Sequence, residues 1–283
     1  GLDFARLDAL KKWKKISQLK LSTSYGSVGN MVDVSPYATY AYLLNYNNQV
    51  GAYENGVNNK DLRWETLSPF NVGLDIGFLN DRYTLSVAYF YKKTSDMIFA
   101  VPLSNAQGSS SASVYKNIGE MVNYGLEFTV GAKLIQNDGD GFNWEVNGNL
   151  STLKNEVLKL YGDKDIISGG RIIRKGEPVN SFYMKKWAGV DPENGDPLWY
   201  VNGEGGKTTN DYSKAGYGIQ GSHIPTLFGG FDTKLSYRNF TLIAQFSYGG
   251  GNKILDYFGG FVRTDGRRLL NYPGYASQAG NYW

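Results

Sequence analysis

Cysteine is absent from the 283 residues, which excludes a disulfide framework, thiol catalysis and Cys-ligated zinc. Histidine is nearly absent too. The single one, His223, sits in a Gly-Ser-His-Ile-Pro stretch, and nothing in the sequence supplies the nucleophile and orienting partner that a catalytic base needs. No run approaches the ~18 apolar residues of a spanning helix, so any membrane crossing must be made by strands. The net charge of +3 is small and dispersed, which argues against nucleic acid as a partner. Glycine and aromatics, by contrast, are plentiful: 36 Gly, 22 Tyr and 15% aromatic residues overall.

What the chain does have is strict alternation. Phe70, Val72, Leu74, Ile76 and Phe78 fall on one side of residues 70–78, and Asn71, Gly73, Asp75 and Gly77 on the other. A period of two places successive side chains on opposite faces of a strand. The same pattern recurs at 82–92, 122–134, 142–152, 227–236 and 240–249, with a shorter match at 19–25. Ten or so such residues, tilted, cross the hydrocarbon core of a bilayer. The charged and amide positions Asp75, Glu127, Glu145, Asn147, Asp232 and Gln245 then face a wet lumen. They fall singly on separate strands, which suits a lumen lining better than the paired carboxylates of a glycosidase.

Connection lengths sharpen this reading. Asn80-Asp81, the stretch 136–141 and Arg238-Asn239 carry tight-turn chemistry, while long segments at 27–68, 93–121 and 153–226 separate the hairpins. Soluble domains seldom alternate in this way. Transmembrane barrels do, with short periplasmic turns and long outer loops. Tyr25, Phe70, Phe78, Tyr83, Tyr89, Tyr91 and Tyr248 lie near strand ends, where interfacial aromatic girdles belong. The fold class expected is all-β, part of a large antiparallel barrel. About seven strands cannot close without leaving unpaired backbone in lipid, so the chain reads as a piece of a longer polypeptide. Residues 1–17 have apolar positions (Leu2, Phe4, Leu7, Leu10, Trp13) at three-residue spacing among lysines, a periplasmic-rim connection that could be a helical turn or a frayed strand. Residues 250–283 read as a further outer loop without a return strand.

Within 153–226, Tyr183, Trp187, Trp199, Tyr200 and Tyr212 are too many large rings for a floppy tether. They are candidates for substrate or partner contact. Trp199, in a short strand after Asn194-Gly195, suits packing, whereas Trp187, after Lys185 and Lys186, suits an exposed contact. Asp191, Glu193 and Asp196 offer oxygen ligands to calcium, but the spacing lacks the distal Glu of an EF-hand. A hairpin tip with a type I′ turn at Asn194-Gly195 is the better account. The glycines 203, 205 and 206 read as flexible loop chemistry rather than a phosphate cradle.

Several segments together carry a family resemblance. LKLSTSYGSVGN at 19–30, NKDLRWET at 59–66 (with Lys60 where proline is usual), NVGLD at 71–75 and YKKTSD at 91–96 come in order. Then follow Asn117-Ile118-Gly119, Gly125-Leu126-Glu127, WAGVDP at 187–192, GDPLWY at 195–200 and PTLFGGF at 225–231. This series resembles SusC-type TonB-dependent transporters of Bacteroidota. The resemblance implies a barrel of about 22 strands with an N-terminal plug, neither plug nor closing strands lying in this chain. It also implies energy from TonB, a SusD-like surface lipoprotein as partner, a possible dimer of that pair, and import of oligosaccharides or oligopeptides across the outer membrane, with no cofactor and no enzymatic step. The rival readings are a passive porin and a soluble β-rich carbohydrate-binding or adhesion module.

Overall fold

The computed structural model describes residues 1–4, 15–31, 39–46, 49–56, 59–103, 113–137 and 139–262. The strands, in chain order, begin with β1 (Leu2–Asp3), β2 (Ile16–Tyr25), β3 (Val28–Asn30), β4 (Thr39–Tyr46) and β5 (Gln49–Gly56). The long β6 (Glu65–Phe78), β7 (Tyr83–Pro102) and β8 (Ser113–Ile135) follow, then β9 (Asn143–Thr152) and β10 (Lys154–Lys159). Short strands come next: β11 (Ile166–Ser168), β12 (Arg171–Ile173), β13 (Ser181–Lys185), β14 (Trp187–Val190), β15 (Pro197–Tyr200), β16 (Thr208–Thr209) and β17 (Tyr217–Gly221). The series ends with β18 (Leu227–Tyr237) and β19 (Phe240–Gly250). Helix is confined to one turn at Gly259–Val262 and brief 3-10 turns among the described residues.

The main sheet is antiparallel and runs β1-β2-β6-β7-β8-β9-β18-β19, with β3 added to β6 and β10 to β8. Its register explains why the alternation matters. Residues directly opposite one another share a face, and the pairing is unbroken across the strands. Ile76, Leu85, Val130, Gly148, Phe231 and Phe246 form one row on the apolar face. Phe231 and Phe246 stack there with centroids 4.6 Å apart. One residue over, Asp75, Ser86, Thr129, Asn149, Gly230 and Ser247 form a polar row. A slip of one residue in β6, β8, β9 or β18 would bring Asp75, Glu127, Glu145 or Asp232 onto the apolar face, so the two-residue alternation marks the register.

The strands outrun the alternation. β7 and β8 remain paired as far as Pro102 and Ser113, so much of 93–121 is ladder rather than loop, interrupted by bulges near Met97. The apolar pattern stops earlier because it marks one environment, while backbone pairing needs no particular side chain. The segment 27–68 likewise holds β3, the hairpin β4–β5 and the start of β6. Two connections differ in detail. β18 and β19 join through Arg238-Asn239 as a two-residue turn. The turn after β6 takes four residues, with Leu79, Asn80 and Asp81 all at positive φ, and Asp81 tied to the Ser17 hydroxyl at 2.6 Å. At the N-terminal end Leu2–Asp3 pairs with β2 as strand, and β2 itself begins at Ile16. The helical turn considered for 1–17 falls largely on 5–14, outside the described residues, as do residues 263–283 of the last loop.

Several of the ordered sequence landmarks turn out to be clips. Asn117 Oδ1 accepts from the Arg63 amide at 2.8 Å, and its Nδ2 donates to the carbonyls of Arg63 and Asp96, both at 2.7 Å. Asn59 donates to the Tyr115 carbonyl, and Glu65 accepts from the Ile98 amide and from Asn30. The 59–66 motif is thereby fastened to β8, β7 and β3. Asn123 accepts a 2.7 Å bond from the buried Asn155, which in turn accepts from the Val179 amide. Around them Phe90, Val114, Val122, Val157 and Leu160 are buried.

By contacts the chain divides into two compact units: residues 1–166, 173–179 and 225–251 in the first, and 167–172, 180–224 and the C-terminal part from 252 in the second.

Candidate functional site

In the first unit the sheet's polar face gathers the residues singled out from alternation. Asn147, Asp232 and Gln245 lie in one row, with Asn147 Nδ2 donating to Asp232 Oδ1 at 3.1 Å. Asp75 accepts a short bond from the Ser86 hydroxyl. Glu145 stands directly between Lys133 and Lys234. Glu127 falls beside Ala88 and Ser151, exposed, with no second carboxylate opposite. The arrangement is a surface of hydrogen-bonding groups with mixed charge. Among these described residues the carboxylates of Asp75, Glu127, Glu145 and Asp232 stand singly on separate strands.

The second unit holds two small sheets, β11-β12-β13-β17 and β14-β15-β16. Their strands bring four of the five candidate rings into a ladder. Trp187 stands opposite Trp199 across β14 and β15, the indoles edge to face at 5.7 Å. Trp199 makes a second edge contact with Tyr212 at 5.1 Å. Lys185 follows, its ammonium 3.9 Å from the Tyr212 ring centre and 5.4 Å from that of Tyr217, while Tyr217 stacks on Tyr183 at 5.5 Å. Trp187 is 52% exposed, Tyr212 56% and Tyr217 54%, whereas Trp199 is half-buried between its neighbours. Tyr200 stands apart on the other side of β15, beneath the Lys186 ammonium at 5.6 Å.

Tyr217 and Lys185 are the members that sequence reasoning did not assign to this cluster. The signal available was Gly216-Tyr217-Gly218. The backbone of Tyr217 and Gly218 lies so close to Gly203 that a Cβ there would overlap it. Gly203 is therefore a close-approach residue at φ 76° rather than a flexible one. Gln220 locks the contact by donating to the carbonyls of Gly203 and Met184. Tyr212 is placed by a 3-10 turn that Asp211 caps, accepting from the Ser213 amide and hydroxyl. Those bonds, together with Lys214, hold the Asp211 carboxyl down at about 2.

Residues 191–196 form the hairpin between β14 and β15. Its geometry is not type I′, because Gly195 has φ 78° and Asn194 has no positive φ. A turn through 192–194 precedes a single left-handed glycine, closed by the Gly195 amide on the Asp191 carbonyl. Asp191 accepts from the Glu193 amide and Asp196 from Asn194 and Asn210. Among the described residues no three acidic, His or Cys side chains group to hold a metal. His223 is exposed beside Arg171, whose Nη1 lies 3.3 Å from its Nδ1.

An antiparallel sheet of long strands, apolar on one face and polar on the other, is the architecture of a large outer-membrane-type barrel. A family model described as "TonB dependent receptor-like, beta-barrel" matches residues 12–283, and the chain belongs to that family. It is 32% identical over 282 residues to TonB-dependent receptor P3 of Formosa agariphila, covering 90% of this chain and 28% of that protein. TonB-dependent receptor SusC of Bacteroides thetaiotaomicron is 30% identical over 257 residues, covering 82% of this chain and 25% of SusC. Among solved structures, the RagAB peptide importer in its open-open state superposes with a TM-score of 0.84 at 29% identity, over 95% of this chain and 31% of that one. The chain thus spans between a quarter and a third of these relatives' lengths.

Proposed function

We propose that this chain is the barrel portion of an outer-membrane active importer, driven by TonB and paired with a SusD-like surface lipoprotein. The observation that carries the reading is the uninterrupted register. The apolar row from Ile76 to Phe246 and the polar row from Asp75 to Ser247 cross the same strands without a slip, in a chain of the TonB-dependent receptor family. In this reading the apolar face meets lipid, and Asp75, Glu127, Glu145, Asn147, Asp232 and Gln245 line the lumen. The long segments 93–121 and 153–226 face the outside, and Trp187 and Tyr212 are the rings that meet the partner lipoprotein or the substrate. The cargo is an oligosaccharide or an oligopeptide, since both present surfaces that aromatic rings contact. The peptide-importer relatives favour the second.

The test is uptake by cells expressing the full-length protein. Deletion of TonB abolishes accumulation of labelled cargo in an active importer but leaves a passive pore conducting, and unchanged uptake would overturn the proposal. Within the same assay, W187A lowers uptake or lipoprotein binding at normal protein yield, whereas W199A, which removes the middle of the ladder, lowers yield.

A further inference from the structure

The polar face carries one pair of large side chains that its own contacts leave unused. A register row crossing from β6 to β19 reads Gly73, Ala88, Glu127, Ser151, Phe228 and Gly249. Only Glu127 and Phe228 rise above small side chains in it. They stand two strands apart with Ser151 between them, roughly 10 Å from backbone to backbone at the usual strand spacing. The next row toward the β18–β19 turn places Thr129, Asn149, Gly230 and Ser247 below them. Neither side chain is walled in from that side.

Packing and pairing account for neither of them. Phe228 is 39% exposed. Its neighbours on this face are Ser151 and Gly249 across the strands and Gly230 along β18, so the register sets no ring or aliphatic side chain against it. The stacked pair Phe231–Phe246 lies on the opposite face, and Phe90, which shares the polar face, is buried. Glu127 is exposed, opposite Ala88 and Ser151. Among the described residues no ion pair or hydrogen bond reaches its carboxylate. The other carboxylates of this wall differ: Asp75 accepts from Ser86, Asp232 accepts from Asn147, and Glu145 stands between two lysines.

We infer that Glu127 and Phe228 form a cargo subsite for a basic side chain, and hence that the cargo is an oligopeptide carrying lysine or arginine. The aliphatic stem lies on the Phe228 ring, crosses Ser151 and brings its cation to the Glu127 carboxylate. Desolvation selects this occupant. Cargo sliding along the wall strips water from Glu127, and a lone carboxylate loses free energy unless a partner replaces that water. A neutral oligosaccharide offers hydroxyls alone, and an acidic cargo is repelled. A basic side chain supplies a charge-assisted hydrogen bond, while its stem covers a ring otherwise left wet. The inference deepens the importer reading and rests on it, since the polar face must line the passage.

The experiment uses the protein's own host cells, with variants of the full-length protein introduced at its own gene and matched for surface amount. Three series of fluorescent hexapeptides are supplied, identical except for lysine, norleucine or glutamate at one central position. The lysine series is expected to accumulate about ten-fold better than the norleucine series, the scale of one charge-assisted hydrogen bond. E127Q removes that advantage. E127K transfers it to the glutamate series, a reversal that a merely structural role for Glu127 would not produce. F228A lowers accumulation of the lysine series, and F228Y, which keeps the ring, restores it. Equal accumulation of the three series by the wild type, accumulation of none, or variants at position 127 that keep the lysine preference would overturn the inference. Deleting TonB separates the two claims. If accumulation needs TonB but ignores the central charge, only the subsite is refuted, whereas accumulation that survives the deletion refutes the importer reading itself.

Discussion

Gly125 shows how a single residue decides a local path. The Thr152 carbonyl occupies the place where a Cβ on Gly125 would stand, with the Phe90 ring close by. No side chain fits without moving backbone. G125A is expected to cost about 1–3 kcal/mol through overpacking, read as a lower unfolding temperature of the barrel on semi-native gels. G250A, with nothing within 4 Å of the added methyl, should unfold like wild type. Asp211 makes a second case at this scale. Its pKa is lowered from 3.8 to about 2 by the Ser213 hydroxyl and amide and by Lys214. A group depressed in the folded state stabilises above its ordinary pKa and loses that contribution as pH falls through the folded value. The turn that positions Tyr212 should therefore persist at pH 4 and loosen toward pH 2. A carboxyl NMR titration of Asp211 with a midpoint near the ordinary value would contradict the capping role.

Among the elements, β8 carries the clearest division of labour. Its lower part alternates between Leu126, Phe128 and Val130 on one face and Glu127, Thr129 and Gly131 on the other, while its upper part pairs with β10 instead of β9. One strand thus serves two neighbours, and Thr152 is the switch between them. If the apolar face meets hydrocarbon, L126R should destabilise the barrel by about 2–4 kcal/mol, measured by denaturant titration in lipid vesicles. Arg at Glu127, one residue away, should cost far less. Comparable losses at the two positions would show that the faces are not differently solvated. The β14–β15 hairpin makes a related point, since it aligns Trp187 with Trp199 by register. No helical or loop spacing would bring residues twelve apart into that edge-to-face contact.

For the molecule as a whole, the prediction is sidedness. If the long segment 153–226 faces outward and the turns at 79–82 and 238–239 face the periplasm, an epitope tag after Gly205 in the full-length protein should be detected on intact cells. A tag at Asn80 should be detected only after permeabilisation. Detection of both without permeabilisation would invert or abolish the topology proposed for the barrel.

Strand identity, the two faces and the membership of a barrel were legible in the residues, because a period of two with one face apolar is a local property that survives in any antiparallel partner. The ring-rich segment at 153–226 was likewise legible as folded, from its apolar content alone. What the tertiary structure decided is everything that depends on residues distant in sequence. Alternation could not show that β7 and β8 stay paired far beyond the apolar band, because backbone hydrogen bonds form regardless of which side chains they carry. Nor could it reveal that Asn117 fastens Arg63 and Asp96, that Gly203 is pressed against Tyr217 rather than flexible, or that Lys185 joins Tyr212 to Tyr217. Those contacts are set by which strands neighbour which, and by where β9 leaves β8, and a pattern of polarity along one strand holds no record of its neighbours.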